Sequence, residues 1–279
     1  MQALPTQNQL FLWLLIGLAS LLAARITGLG EIELFLDKIN NLDVISLGVL
    51  AVAAWRLMRA RASASAVPAQ IATALAIAVI SVGLGFVPST VGIGAGFAIL
   101  GVFILRAGQT DPDLRAAAIC LLALASHLCL APIVFRVFLD PILQIDRYLV
   151  GWAFTAIRPD IVWSGARFAA PDGLTIAIVG GCSSFGGISV AIAVHIGWAM
   201  RVRTLLTRLD AVAILATAVL ATAINITRLI LTGWDQQSYA FWHGVAGDGP
   251  GLMIAWFAQT TAILIGGYLS ATWAAQADR

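Results

Sequence analysis

Long apolar stretches, each closed by charged or helix-ending residues, dominate the chain. A helix that crosses a bilayer needs about 20 mostly apolar residues. Eight stretches approach that length: Gln9 to Arg25, Leu42 to Leu57, Ala69 to Val87, Thr90 to Leu105, Ala116 to Leu139, Phe185 to Met200, Ala211 to Thr232 and Leu252 to Trp273. The pattern predicts an all-α polytopic membrane protein with about eight transmembrane helices. Residues 1–279 form a single integral membrane domain in this reading, with five helices in 1–139, an extramembrane segment in 140–181 and a three-helix portion in 182–279. The first stretch has no basic n-region and no small-residue cleavage site, so it reads as a retained helix.

The segment between the fifth and sixth stretches changes pattern twice. Ile142, Ile145, Leu149, Trp152 and Ala156 recur at helical spacing opposite Gln144, Asp146 and Arg147, which predicts an amphipathic helix lying on the membrane surface. Beyond it, Ile161 to Ser164, Arg167-Phe168, a Pro171-Asp172-Gly173 turn and Leu174 to Val179 predict a small hairpin of two short strands. That hairpin delivers the chain to Gly180-Gly181-Cys182 at the start of the sixth helix.

Composition agrees with the pattern. The chain is 60% apolar and only 11% Asp, Glu, Lys or Arg, against roughly 25% charged residues in a soluble domain. A net charge of +2 leaves no basic field for nucleic acid, and three cysteines in 279 residues are not a disulfide framework. Charge also orients the helices, because cytoplasmic loops carry the excess of Lys and Arg. Arg56, Arg59 and Arg61 follow the second stretch, and Arg201, Arg203 and Arg208 follow the sixth. Placing both clusters inside predicts cytoplasmic N- and C-termini and puts the 140–181 segment outside. Gly83, Gly85, Gly92, Gly94, Gly96 and Gly101 suggest close packing of the third and fourth helices.

Polar groups at membrane depth are costly, so each needs a reason. Arg228 lies about one turn from the outer end of the seventh helix, and Asn225 precedes it by three residues on the same helical face. A paired amide and guanidinium face protein or water rather than lipid. Cys182 precedes Ser183 and Ser184 at a predicted helix start, where unpaired N–H groups favour a thiolate and serines can cap; by position alone an inert cysteine fits equally well. His243 sits in the outward loop after the seventh helix. These residues, dispersed along the chain, fall at one membrane face. His195 lies 13 residues beyond Cys182 on one helix, about 20 Å deeper, too far to serve that cysteine. Cys120, His127 and Cys129 occupy the middle of the fifth helix without a second cluster to complete a metal site, so no metal is expected there.

The order Cys182-Ser183, Asn225-Ile-Thr-Arg228 and His243-Gly-Val-Ala-Gly247 resembles the exosortase/archaeosortase family of membrane cysteine transpeptidases. The resemblance covers about residues 140–273. It implies Cys182 as nucleophile, Arg228 as oxyanion and substrate-positioning group, and His243 as general acid/base, with Asn225, Ser183 and Ser184 in support. It also implies a bacterial inner-membrane location, an extracytoplasmic active site, and secreted protein substrates bearing a C-terminal sorting signal. In that family the signal is a short motif, often Pro-Glu-Pro, then a membrane helix and a basic tail. Many members place Gly after Cys-Ser and an Arg shortly beyond, whereas Ser184 and Phe185 follow here and the next basic residue is Arg201. That marks a divergent subgroup.

The chemistry so implied is acyl transfer through a thioester, resolved by water or by an amine. The alternative from another class is a transporter or channel that binds an anionic substrate at Arg228, which requires further polar residues along a path through the membrane. A non-catalytic assembly subunit, tolerant of Cys182→Ser, is a second alternative. No Gly-rich nucleotide loop, haem pair or metal cluster is present in the sequence, so no cofactor is expected; the lipid bilayer is the remaining partner.

Overall fold

A computed structural model describes residues 11–12, 15–17, 43–60, 80, 90–107, 110–243 and 249–277. The stretches at 9–25 and 69–87 lie almost entirely outside these residues, as do Gly83, Gly85 and Gly247. The described chain is mostly helical. In order it forms α1 (Asp43–Arg59), α2 (Thr90–Ala107), α3 (Pro112–Ala125), a π-turn (Ser126–Leu130), α4 (Ala131–Val137) and α5 (Leu139–Ile157). Three strands follow, β1 (Val162–Ser164), β2 (Arg167–Ala169) and β3 (Thr175–Ala177), then a 3-10 turn at Gly180–Cys182. The last elements are α6 (Phe185–Val202), α7 (Arg208–Thr232), α8 (Gln236–Trp242) and α9 (Pro250–Ala277).

Among the described residues four helices are long and apolar enough to cross a membrane: Pro112–Val137, which joins α3 and α4 through the π-turn, Phe185–Val202, Arg208–Thr232 and Pro250–Trp273. Their outer surfaces carry exposed Val212, Leu215, Val219, Phe257 and Leu269. Such faces suit lipid, where the helix satisfies its own backbone polar groups and apolar side chains need no shelter from water. The start of α3 follows from Asp111-Pro112: the Asp111 carboxylate accepts from the N–H groups of Asp113 (2.8 Å) and Leu114 (3.2 Å), and the proline sits where no N–H is needed. The π-turn comes just before Pro132, which has no N–H to return to Leu128.

The chain divides into two compact units. One comprises Met1–Pro132, Ile192–Ile214 and Gly267–Arg279. Its core gathers Leu57, Ile93, Phe97, Leu100, Leu121 and Leu124. Gly94 and Gly101 pack here against the Pro112–Val137 helix, where a Cβ on Gly94 would lie 2.7 Å from the Cβ of Cys129 and one on Gly101 3.1 Å from Leu122. Arg56, which the charge pattern treats as an exposed orienting residue, is instead buried. Its guanidinium donates to the carbonyls of Met200 (2.6 Å) and Arg203 (2.9 Å) and pairs with Asp113. Arg56, Arg59 and Arg201 all lie over the Trp55 ring, so the two arginine clusters meet.

The second unit comprises Ile133–Ala191 and Leu215–Gly266. Its core is smaller: Leu143, Val150, Phe154, Ile161, Phe168, Ile178 and Leu229. The strands form an antiparallel sheet in the order β1-β2-β3, with Trp163 opposite Phe168 and Phe168 opposite Ile176. The sequence pattern gives two strands where the chain makes three, because a second turn, at Gly165 (φ 63°), falls inside what reads as one run. Helix α5 leaves Ile145 and Trp152 of its apolar stripe exposed, as a helix on a membrane surface does, but buries Asp146 of the polar side. Leu143, Asp146, Val150 and Phe154 face inward, while Ile145, Tyr148 and Trp152 are exposed. The outward apolar face has the aromatic character of a membrane interface, and the inward Asp146 has hydrogen-bond donors waiting for it.

Candidate active site

The Gly180–Cys182 turn places the cysteine. The Cys182 N–H donates to the Val179 carbonyl (2.8 Å) and the Ser183 N–H to that of Gly180 (3.2 Å), so the chain doubles back immediately before α6. Phe185, the first residue of α6, stacks on Phe135 at 5.6 Å, and a Cβ on Gly180 would lie 3.6 Å from the same Phe135 ring. The Cys182 side chain is half-buried and packs against the core of the second unit, as Ile226 and Ile230 also do. It is a free thiol.

Asn225 of α7 binds this turn. Its buried Nδ2 donates to the Cys182 carbonyl (2.8 Å) and to Ser184 Oγ (3.1 Å). Two hydrogen bonds of this kind are worth roughly 0.5–1.5 kcal/mol each. They fix the backbone of the cysteine rather than its sulfur. Arg228 follows one turn later on the same face, close enough to Cys182 for the two side chains to interact electrostatically. Its Nε is buried and has no hydrogen-bond partner among the described residues.

Asp146 was read in the sequence as part of a solvent-facing stripe, and it lies instead against the cysteine turn. Its Oδ2 accepts from Ser183 Oγ (2.7 Å) and from the Ser184 N–H (3.3 Å), and the residue is only 4% exposed. Ser183 Oγ also accepts from the Phe185 N–H (3.2 Å), so Ser183 caps α6, with Asp146 behind it, while the Ser184 hydroxyl accepts from Asn225 instead. Helical periodicity put Asp146 on the side away from the membrane, where the reading expected water and the structure has protein. The cue available was the apolar row Leu143, Val150 and Phe154, on which Asp146 falls at helical spacing.

His243 is held by a different element of the same unit. Asp235, in extended conformation, caps α8 by accepting from the Ser238 N–H (2.6 Å), and that bond holds its carboxyl below the usual carboxylate range. At the other end of α8 the His243 N–H donates to the Tyr239 carbonyl (2.8 Å), and the imidazole stacks on the Tyr239 ring at 4.9 Å. Gly251 permits the close return of α9, since a Cβ there would lie 2.5 Å from the Trp242 ring. Arg158 fastens the start of this region: it pairs with Asp160, donates to the Trp234 carbonyl (3.0 Å) and lies over the Trp234 ring. Cys182, Ser183, Ser184, Asn225 and Arg228 are thus one cluster, and His243 is held by its own stack on Tyr239.

His195 belongs to the other unit. Its Nε2 lies 2.8 Å from Asp210 Oδ1 and its Nδ1 3.0 Å from Ser270 Oγ, while Arg203 pairs with the same Asp210 oxygen and the Thr207 N–H donates to Oδ2 (2.6 Å). The histidine is fully buried. The sequence offered no signal for this network, since its members are dispersed over Arg203 to Ser270. Compared with protein-family models, curated proteins and solved structures, the chain matches none.

Proposed function

We propose that the chain is a membrane-embedded cysteine protease or transpeptidase of the exosortase/archaeosortase type, acting on the C-terminal sorting signal of secreted proteins. The observation that carries this reading is the Asn225 bond to the Cys182 carbonyl, which joins two of the three sequence motifs and leaves Arg228 one turn away. The Cys182 thiolate attacks the scissile carbonyl, forming the S–C bond of a tetrahedral intermediate. Arg228, whose buried Nε has an unused donor, stabilises the oxyanion; one such donor contributes about 3–4 kcal/mol. The C–N bond then breaks, and the amine leaves with a proton from His243. Water or an amine resolves the thioester, returning the sulfur as thiolate.

In this reading about eight helices cross a bacterial inner membrane, with both termini cytoplasmic. The α5 helix and the small sheet lie on the extracytoplasmic side, where α5 rests its exposed Ile145, Tyr148 and Trp152 on the lipid interface. The test uses a secreted reporter ending in Pro-Glu-Pro, a membrane helix and a basic tail, co-expressed with Cys182→Ala, Arg228→Ala or His243→Ala variants. Each variant is expected to leave the reporter uncut. Wild-type cleavage by the Cys182→Ala protein would refute the assignment of the nucleophile.

A further inference from the structure

We infer that Asp146 is the positioning residue for the Cys182 turn, and that Asp146 and Asn225 clamp that turn from two different helices. The inference rests on the proposed role of Cys182 as nucleophile. From α5, Asp146 accepts from Ser183 Oγ (2.7 Å) and the Ser184 N–H (3.3 Å). From α7, Asn225 donates to the Cys182 carbonyl (2.8 Å) and Ser184 Oγ (3.1 Å). One clamp only accepts and the other only donates. Together they occupy the polar groups on both flanks of the turn and leave the sulfur as the group not spent on holding it. The neighbouring Arg147 extends the grip, since its Nη2 donates to the Ile178 carbonyl (3.3 Å) at the start of the same segment. Two consecutive residues of α5 thereby hold the two ends of Ile178 to Ser184.

A buried carboxylate needs strong compensation. Among the described residues no basic side chain forms an ion pair with Asp146. A hydroxyl and a backbone N–H at the N-terminus of α6 supply the compensation instead, aided by the helix dipole. Asp146 sits beneath the cysteine turn, against the groups it accepts from, rather than on the exposed face of α5 with Ile145, Tyr148 and Trp152. Its place beneath the cysteine turn is accounted for by what it holds. Nucleophiles act only within a narrow range of geometry, so a turn free to move by about 1 Å can cost roughly a hundredfold in rate.

The experiment compares full-length wild type, Asp146→Ala, Asp146→Asn, Ser183→Ala and the Asp146→Ala/Ser183→Ala double variant in membranes. One readout is cleavage of the sorting-signal reporter. The other is the rate of N-ethylmaleimide addition to Cys182, followed by mass spectrometry of its peptide, which needs no substrate. Releasing the clamp is expected to slow cleavage by roughly tenfold to a hundredfold in kcat, the range for hydrogen bonds to a charged group, with KM within about twofold. Maleimide addition is expected to accelerate, because the loosened turn exposes the sulfur. Asp146→Asn, which keeps one acceptor for Ser183, falls between wild type and alanine. The double variant loses no more than Asp146→Ala, since both changes cut one link. Wild-type maleimide rates in Asp146→Ala, or additive losses in the double variant, would overturn the inference. Where Asp146→Ala fails to accumulate, Ser183→Ala alone decides by the same two rates. If Cys182→Ala still cleaves the reporter, the proposed function falls, while the maleimide rates still judge the clamp.

Discussion

Asn225→Ala removes both donors that α7 gives to the cysteine turn, and the structure sets the size of the loss. Two hydrogen bonds disappear, from a buried amide to the Cys182 carbonyl and to Ser184 Oγ. At about 1 kcal/mol each, the net loss is about 2 kcal/mol, with more if the Cys182 carbonyl finds no new donor. A loss of that size lowers the melting temperature of a chain this long by about 5 °C. Ser184→Ala removes one of the two bonds and should cost about half as much. The assay is thermal unfolding of purified protein in detergent at fixed concentration, with reporter cleavage measured in parallel. Cleavage should fall more steeply than stability, because the lost bonds lie within two residues of the proposed nucleophile. An Asn225→Ala protein that melts with wild type and cleaves at the wild-type rate would refute the idea that this amide holds the turn.

Other perturbations test other parts of the structure. Gly94→Ala drives a methyl group into the backbone and Cβ of Cys129 and should cost about 1–3 kcal/mol, read as a lower melting temperature. His195→Ala removes the fully buried imidazole that joins Asp210 to Ser270, while Asp210 keeps Arg203 and Thr207, and should destabilise by about 1–3 kcal/mol without changing maleimide addition to Cys182. The Asp235 carboxyl lies below its unfolded value, so the capping it gives α8 is present above about pH 4 and is lost as pH falls through the depressed folded value. Amide-exchange protection in Tyr239 to Trp242, corrected for intrinsic rates, should therefore drop in acid. In Asp235→Asn, which keeps an acceptor oxygen but does not titrate, protection should stay level; a drop of wild-type size there would rule out the cap as the cause.

Much of this could be read before any coordinates. The apolar stretches located the helices at Pro112–Val137, Phe185–Val202, Arg208–Thr232 and Pro250–Trp273 to within a few residues, because uninterrupted apolar length is the strongest signal a chain carries. Spacing alone put Asn225 and Arg228 on one face. What escaped was local surroundings. The α5 pattern was legible, and its apolar Ile145 and Trp152 are exposed as a helix on a membrane surface requires, but Asp146, expected on the water-facing side, is buried against the cysteine turn. The turn at Gly165 was hidden in a run of strand-forming residues. Long-range polar contacts, such as Arg56 with Asp113 or His195 with Ser270, leave no periodic trace and emerge only when helices far apart in sequence are packed together.

The central claim is that Cys182 carries the acyl group of a cleaved sorting signal. Its most direct test is mass spectrometry of the Cys182 peptide after co-expression with the Pro-Glu-Pro reporter. A hydroxylamine-labile adduct bearing the reporter's new C-terminus, present in the wild type and lost in Cys182→Ala together with cleavage, is the expected result. Undiminished cleavage by Cys182→Ala, with no adduct on the wild-type peptide, would contradict it.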